Sequence, residues 1–212
     1  MDIASLVLAT TLACHPPANQ SVIGLWESTA VSRGGIGHNF EFRDDGSYTT
    51  AVTVIVDLTY DIRDGFFYMS HNKNEPINYE KGAKIEINEI GFTLTGENGE
   101  KEIKTKELPS KDKSIVGKYK YRHSSGGIAY EKYTNDGLIK FRLPMKSVSG
   151  CYSIDNETII LAQTEKETTE IKYKVTNDKL TLKSKEGTYS YNSVPEGAWY
   201  VNTEIDYQKP SE

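Results

Sequence analysis

Apolar and polar side chains alternate with a period of two along much of this chain. Residues 85–88 are Ile-Glu-Ile-Asn, residues 92–95 are Phe-Thr-Leu-Thr, and residues 171–175 are Ile-Lys-Tyr-Lys-Val. Such a period puts alternate side chains on opposite faces of a β-strand, so that one face covers a core and the other meets solvent. No helical period separates the runs. The pattern therefore predicts an all-β protein made of antiparallel strands.

Short turn sequences separate the predicted strands. Asp-Gly or Asn-Gly pairs occur at positions 45–46, 64–65, 98–99 and 136–137. These residues adopt the positive φ that tight hairpin turns need. Short strands joined in chain order by tight turns predict a meander that closes into a barrel or a sandwich.

The chain also repeats itself. Val-Ile-Gly-Leu-Trp at residues 22–26 returns as Ile-Val-Gly-Lys-Tyr at residues 115–119, and Gly-Gly-Ile at 34–36 returns at 126–128. Three further matches follow in the same order at a nearly constant spacing of about 90 residues. Two tandem copies of one small antiparallel meander β-barrel are therefore predicted. The boundaries are residues 21–108 for copy 1, 109–113 for a linker, 114–194 for copy 2 and 195–212 for a tail.

Residues 1–20 have the pattern of a leader and spacer. An uncharged, mostly apolar stretch at residues 3–13 precedes Cys14, and a Pro-rich polar spacer follows it. The stretch is too short for a membrane-spanning helix and suits the hydrophobic region of a secretory signal. It resembles a bacterial lipoprotein signal, which implies that Cys14 is the lipid-attachment site of a secreted, envelope-anchored protein. A structural cysteine on an N-terminal strand, or a disulfide between Cys14 and Cys151, is the alternative.

Composition restricts the function classes. The net charge is −5, and lysines are interleaved with glutamates, as at residues 101–104 and 164–167. Nucleic-acid binding needs clustered Lys and Arg on a positive face, so no nucleic-acid partner is expected. The interleaved charges predict solvated strand faces. A membrane contact is expected only through the lipid anchor.

Catalytic and metal-binding patterns are not recognised in the sequence. No Cys-x-x-Cys pair occurs, and none of the histidines lies within metal-ligand spacing of another His or a Cys. The histidines are His15, His38, His71 and His123. We expect no catalytic set, no metal and no cofactor. A haem-binding or enzymatic barrel remains a distant third hypothesis.

The first strand of each copy begins Gly-x-aromatic, as Gly24-Leu25-Trp26 and Gly117-Lys118-Tyr119. Together with the meander and its Asp-Gly turns, this resembles the bacterial lipocalin-like domains. The resemblance implies a small barrel that binds a small apolar ligand without catalysis. Trp26 and Tyr119 are then either core plugs or ligand contacts. The other hypothesis is a solid barrel pair that binds a protein or glycan partner.

Overall fold

The structure is a computed structural model that describes residues 13–17, 21–163 and 167–195. The predicted leader and tail lie outside these residues except for residues 13–17 and Pro195. Every element in the described part is a β-strand, as the period-two pattern predicted. None of the described residues belongs to a helix of the length and hydropathy that a membrane span needs.

The described residues contribute fourteen strands to one antiparallel sheet, seven from each copy of the repeat. The strands are β1 (Gly24–Ser28), β2 (Ile36–Phe42), β3 (Ser47–Arg63), β4 (Phe66–Met69), β5 (Ala83–Asn88), β6 (Gly91–Thr95), β7 (Lys101–Thr105), β8 (Gly117–Arg122), β9 (Ile128–Tyr133), β10 (Leu138–Asp155), β11 (Thr158–Ala162), β12 (Thr168–Thr176), β13 (Lys179–Lys183) and β14 (Thr188–Val194).

The predicted turns connect neighbouring strands. Asp64 and Gly65 both have positive φ and join β3 to β4 as a two-residue hairpin loop between the paired residues Arg63 and Phe66. A type I′ turn has positive φ at both central positions, and its twist matches that of the flanking strands. The local sequence therefore determines where this hairpin turns.

The strand order shows the repeat in three dimensions. It reads β7-β6-β5-β4-β3-β2-β1-β14-β13-β12-β11-β10-β9-β8, with an additional pairing of β3 and β10. The third strand of each copy is long, 17 residues in β3 and 18 in β10. At about 3.3 Å per residue, such a strand is about 55 Å long, far more than a usual strand of 17–20 Å.

The compact units do not follow the predicted domain boundaries. Of the described residues, unit 1 contains 13–17, 21–29, 40–50, 148–163 and 167–194, and unit 2 contains 30–39, 51–147 and 195. Each unit therefore combines the first strands of one copy with the last strands of the other. The strands β3 and β10 contribute to both units, because each is longer than one small core. The segment predicted as a linker lies inside unit 2.

Each unit has its own core of apolar and aromatic side chains. The main hydrophobic cluster of unit 1 consists of Val22, Trp26, Phe42, Tyr48, Tyr152, Ile159, Leu161, Leu180, Leu182 and Tyr191. That of unit 2 consists of Phe67, Ile85, Phe92, Ile115, Tyr119, Tyr133 and Ile139. The inward-facing positions are those that the alternation placed on one face.

Candidate functional site

Trp26 and Tyr119 occupy equivalent places in the two cores. Trp26 is 4% exposed and Tyr119 is 1% exposed. The indole N–H of Trp26 donates a 2.7 Å hydrogen bond to the carbonyl oxygen of Val22, and the hydroxyl of Tyr119 donates a 2.7 Å bond to that of Ile115. Each polar tip is satisfied within its own chain segment. This burial supports the plug interpretation and leaves almost no surface for a ligand to contact.

The two cysteines form a disulfide in unit 1. The Sγ atoms of Cys14 and Cys151 are bonded, and their Cα atoms are 5.1 Å apart. A sulfur in a disulfide cannot also carry a thioether-linked lipid. The structure thus has the disulfide that the sequence left open as the alternative, and lipid attachment at Cys14 stays a prediction. The crosslink is expected to contribute about 2–5 kcal/mol to stability, chiefly by restricting the unfolded chain.

The strand registers define which positions of the two units are equivalent. In the repeat, Phe-Thr-Leu-Thr at residues 92–95 matches Leu-Thr-Leu-Lys at residues 180–183. Phe92 pairs with Lys104 and Leu180 pairs with Tyr191, so that Lys104 and Tyr191 correspond. Phe42 likewise matches Tyr133, and two residues before them Phe40 corresponds to Glu131. The same two positions are thus aromatic in one unit and charged in the other.

The contacts confirm this correspondence. In unit 1 the rings of Phe40 and Tyr191 meet edge to face with centroids 5.4 Å apart. In unit 2, Lys104 Nζ lies 3.1 Å from Glu131 Oε1, and the two side chains are only 5% and 9% exposed. A buried ion pair costs more desolvation than an aromatic pair of similar volume. Unit 2 therefore carries charge in the interior where unit 1 is apolar.

Glu131 accepts hydrogen bonds from three surrounding side chains. Besides Lys104, the hydroxyl of Tyr121 donates to Oε1 at 2.7 Å and that of Tyr133 donates to Oε2 at 3.0 Å. Burial, and then the nearby charge of Glu131, raise the pKa of both phenols well above the usual tyrosine value. Both phenols therefore stay neutral donors, and the buried carboxylate has the hydrogen bonds that a desolvated charge requires.

Lys104 has one partner at the surface. Its Nζ lies 2.8 Å from Glu102 Oε1, and the side chain of Glu102 is 58% exposed. The same ammonium lies 3.7 Å from the ring centroid of Tyr121, within the range of a cation–π contact. Glu102 is thus the solvent-facing member of the charged cluster, which we define as Glu102, Lys104, Tyr121, Glu131 and Tyr133.

A groove shares Glu102 with the charged cluster. It has a volume of about 560 Å³, is open to solvent and is lined by Ala83, Leu94, Gly96, Asn98, Glu100, Lys101 and Glu102. Tyr133 of the cluster also packs with two core aromatics, Phe92 and Tyr119, and the three rings meet edge to face at 5.1 to 5.4 Å. The cluster therefore adjoins the solvent-open groove through Glu102 and the apolar core through Tyr133.

A second buried lysine lies just beyond β7. Lys106 is 4% exposed, and its Nζ has no hydrogen-bond partner among the described residues. Its side chain lies over Gly117, where an added Cβ would meet the lysine chain at 3.4 to 3.6 Å. Lys104 and Lys106 therefore both face the interior along this segment, whereas Ile103 is 71% exposed.

This site was missed at the level of sequence because the interleaved charges of residues 101–104 predicted solvated strand faces. That prediction holds for Lys101 and Glu102, which are exposed, and is wrong for Lys104, which is buried. Aligning the last strands of the two copies gives the available signal. Lys104 aligns with Tyr191, and an aromatic side chain at that position of the strand indicates an inward face.

Among the described residues, no group of three or more His, Cys, Asp or Glu side chains is placed to hold a metal ion. The site can therefore be described by its charges, its hydrogen bonds and its groove. Comparison of the chain with protein-family models, with curated proteins and with solved structures gave no match.

Proposed function

We propose that this chain is a non-enzymatic, lipocalin-like binding protein whose unit 2 binds a small molecule at the groove beside Glu102. The observation that carries the proposal is the buried ammonium of Lys104, whose partner Glu102 lines that groove. Burying a charge costs desolvation energy. The equivalent positions of unit 1 carry aromatic side chains instead of charges. Such a costly arrangement is typical of a site rather than of a core.

The chemistry of the groove favours an amphipathic anion over a purely apolar ligand. Leu94 and Ala83 offer apolar contact, whereas the other lining residues are glycine, polar or charged. An anionic group on the ligand replaces the carboxylate of Glu102 at Lys104, because both compete for the same ammonium. Few well-placed polar groups in a pocket fix a ligand's orientation.

The disulfide supports a location outside the reducing cytosol. Disulfides persist in secreted proteins and in the bacterial periplasm and are rare where glutathione keeps thiols reduced. We therefore propose a secreted or cell-envelope protein whose Cys14 is crosslinked rather than lipidated. The mass of the mature protein recovered from its host tests this point. A diacylglyceryl mass on Cys14 contradicts it, and a loss of two hydrogens confirms it.

A solid interaction module is the second candidate, and unit 1 favours it. Ten buried side chains fill its core, and the site equivalent to the charged cluster is closed by Phe40 against Tyr191. The partner of such a unit is a protein or a glycan. Native mass spectrometry of protein purified from its host separates the two functions, because a co-purifying small mass supports the binding protein.

Two dyes that differ by one anionic group test the proposed ligand chemistry. Anilinonaphthalene sulfonate carries a sulfonate that the otherwise identical phenylnaphthylamine lacks. We expect the sulfonate dye to bind the folded full chain more tightly. Glu102→Gln removes the competing carboxylate and should tighten sulfonate binding severalfold, without changing the binding of phenylnaphthylamine.

Glu86→Gln is the matched control, because Glu86 is an exposed glutamate on β5 that pairs with Lys84 rather than Lys104. It should leave the affinity of both dyes unchanged. Equal affinity for the two dyes, or weaker sulfonate binding by Glu102→Gln, contradicts the proposal. Circular dichroism of each variant excludes a loss of fold as the cause.

A further inference from the structure

Two neighbouring strands of unit 1, β12 and β13, carry four lysines on their outward face. Leu180 and Leu182 of β13 are buried, so the alternate positions of that strand point away from the core. β12 alternates in the same way, and its three apolar side chains pack against the core. The outward positions hold four exposed lysines, which we define as the lysine stripe: Lys172, Lys174, Lys179 and Lys183.

The lysines of the stripe have no acidic partner among the described residues. Lys172 lies directly opposite Lys183, and its ammonium donates a 2.9 Å hydrogen bond to the hydroxyl of Thr158. Glu170 is the one acidic residue at an outward position of β12 and β13, and it precedes the stripe, opposite Ile160. Like charges directly across a sheet are destabilising. The stripe is therefore a cost to the sheet rather than a part of its packing.

The equivalent face of unit 2 has no such stripe. Its strands β5 and β6 pair in the same register, and in the order of the stripe the equivalent residues are Lys84, Glu86, Gly91 and Thr95. The Nζ of Lys84 lies 3.2 Å from Oε1 of Glu86, so the one lysine is paired and the four positions carry no net charge. Because the same pair of strands forms in unit 2 without the extra lysines, the fold does not require them.

The stripe is long and is bordered by hydroxyl and amide groups. Lys179 and Lys183 are four residues apart on one strand, which is about 14 Å at about 3.4 Å per residue. The residues that pair with the stripe from the flanking strands are Thr158 on β11 and Thr188 and Asn192 on β14. Their side chains can donate and accept hydrogen bonds, and a lysine binds an anion as a point charge without a fixed geometry. The face therefore matches a chain that carries repeated anionic groups among hydroxyl groups.

Two other polyanions fit this face less well. Proteins that bind single-stranded nucleic acid stack its bases on aromatic side chains, and the outward positions of β12 and β13 contain no aromatic residue. Proteins that bind at a membrane surface add apolar contact to the attraction of charges, and the same positions contain no apolar side chain. The hydroxyl groups beside the lysines favour a sugar chain over both.

We propose that the lysine stripe of unit 1 binds a linear acidic polysaccharide, with carboxylate or sulfate groups on its sugar rings. The ammonium groups pair with these anions, and the hydroxyl and amide side chains beside them bind the sugar hydroxyls. An open sheet face suits a long chain, whereas a small ligand needs a concave pocket. The proposal rests on the interaction-module function that unit 1 favours, and it does not involve the groove of unit 2.

Polygalacturonate and its methyl ester test the requirement for charge, because they differ only in whether the carboxyl groups are ionised or esterified. Isothermal titration calorimetry of the full chain at low salt should show at least tenfold tighter binding of polygalacturonate. That affinity should fall as the salt concentration rises, since bound ammonium groups release the counterions of a polyanion. Equal affinity for the two polymers overturns the proposal but leaves an interaction module that recognises a neutral glycan.

The double variant Lys174→Glu, Lys183→Thr gives two positions of the stripe the residues that unit 2 has there. It should weaken polygalacturonate binding at least tenfold. Lys111→Glu with Lys84→Thr is the matched control, because it changes the net charge equally at two exposed lysines of unit 2. The control should change the affinity less than twofold. Equal affinities of the two double variants overturn the proposal.

Urea unfolding separates binding from a structural role of the lysines. Lys183→Thr should keep or raise the urea midpoint, because it removes the repulsion from Lys172. A lower midpoint shows that the stripe stabilises the sheet and overturns the argument from its cost. Tighter binding of phosphatidylglycerol vesicles or of oligothymidine than of polygalacturonate also overturns the proposal, in favour of a membrane surface or a nucleic acid.

Discussion

The hydroxyl of Tyr119 lies 2.7 Å from the carbonyl oxygen of Ile115, to which it donates a hydrogen bond. Trp26 makes the same contact with Val22 through its indole N–H, also at 2.7 Å. In both copies the aromatic side chain thus bonds back to the segment that leads into its own strand. The chemical group differs, but the bond is retained.

Tyr119→Phe should destabilise the chain by about 1–3 kcal/mol, because it leaves the buried carbonyl of Ile115 without its donor. Urea unfolding measures the loss. Tyr189→Phe is the control, since Tyr189 is 45% exposed and its change should stay within about 0.5 kcal/mol. Equal effects of the two substitutions would show that the hydrogen bond from Tyr119 to Ile115 does not contribute to stability.

Replacing Glu131 and Lys104 of unit 2 by the aromatic residues found at the equivalent positions of unit 1 tests how strongly the two charges depend on each other for stability. Glu131→Phe alone should lose about 3–5 kcal/mol, because it leaves the ammonium of Lys104 buried with Glu102 as its one remaining carboxylate partner. Adding Lys104→Tyr should recover most of that loss. A double-mutant cycle of urea unfolding measures the coupling. If the double variant is no more stable than Glu131→Phe, the two positions are not equivalent to those of unit 1.

Gly46→Ala should be more destabilising than Gly65→Ala. Both glycines have a φ near +80°, so each alanine meets backbone strain of about 1–2 kcal/mol. At Gly46 an added Cβ would also come within 2.0 Å of the carbonyl oxygen of His15, whereas at Gly65 it would meet nothing within 4 Å. The difference between the two variants in the free energy of unfolding, measured by urea unfolding, reports how closely the Cys14 segment packs against this turn. Equal losses of stability would mean that the segment does not pack there.

Stability should fall as the pH rises from about 10 to 12. Burial raises the pKa of Tyr152 and of Tyr191 to about 12, against about 10 in the unfolded chain. The folded state keeps these protons in that range while the unfolded chain releases them, so the stability present below pH 10 is lost through this window. Urea midpoints measured together with tyrosinate absorbance test the slope. Titration of all 14 tyrosines near pH 10 in a chain that stays folded contradicts it.

A fragment of residues 109–212 should not fold as a monomer with the strand arrangement of either unit. It lacks β1 to β3 of unit 1 and β3 to β7 of unit 2. Co-expression with residues 13–108 should restore a soluble complex of the two fragments. Size-exclusion chromatography and circular dichroism detect both outcomes. A cooperatively melting monomer of residues 109–212 would show that one copy can close on itself.

The position of Lys104 shows the limit of pattern reading at the site. In a strand over residues 101–105, alternate side chains share a face, because that follows from the backbone of a single strand. The sequence does not show which face points inward, since that depends on strands far away in the sequence. Its charge favoured an exposed position, but the structure buries Lys104 because Glu131 on β9 pairs with it and the ring of Tyr121 on β8 lies against its ammonium.

The sequence by itself determined the strands, their turns and the repeat. These depend on local properties: a period of two, and residues that adopt positive φ between runs. The tertiary structure decided which strands share a core, whether Cys14 meets Cys151, and which face of β7 is buried. Strands of one copy can pair within that copy or with the equivalent strands of the other, and the same alternation fits both. Only long-range packing across two nearly equivalent copies distinguishes these arrangements.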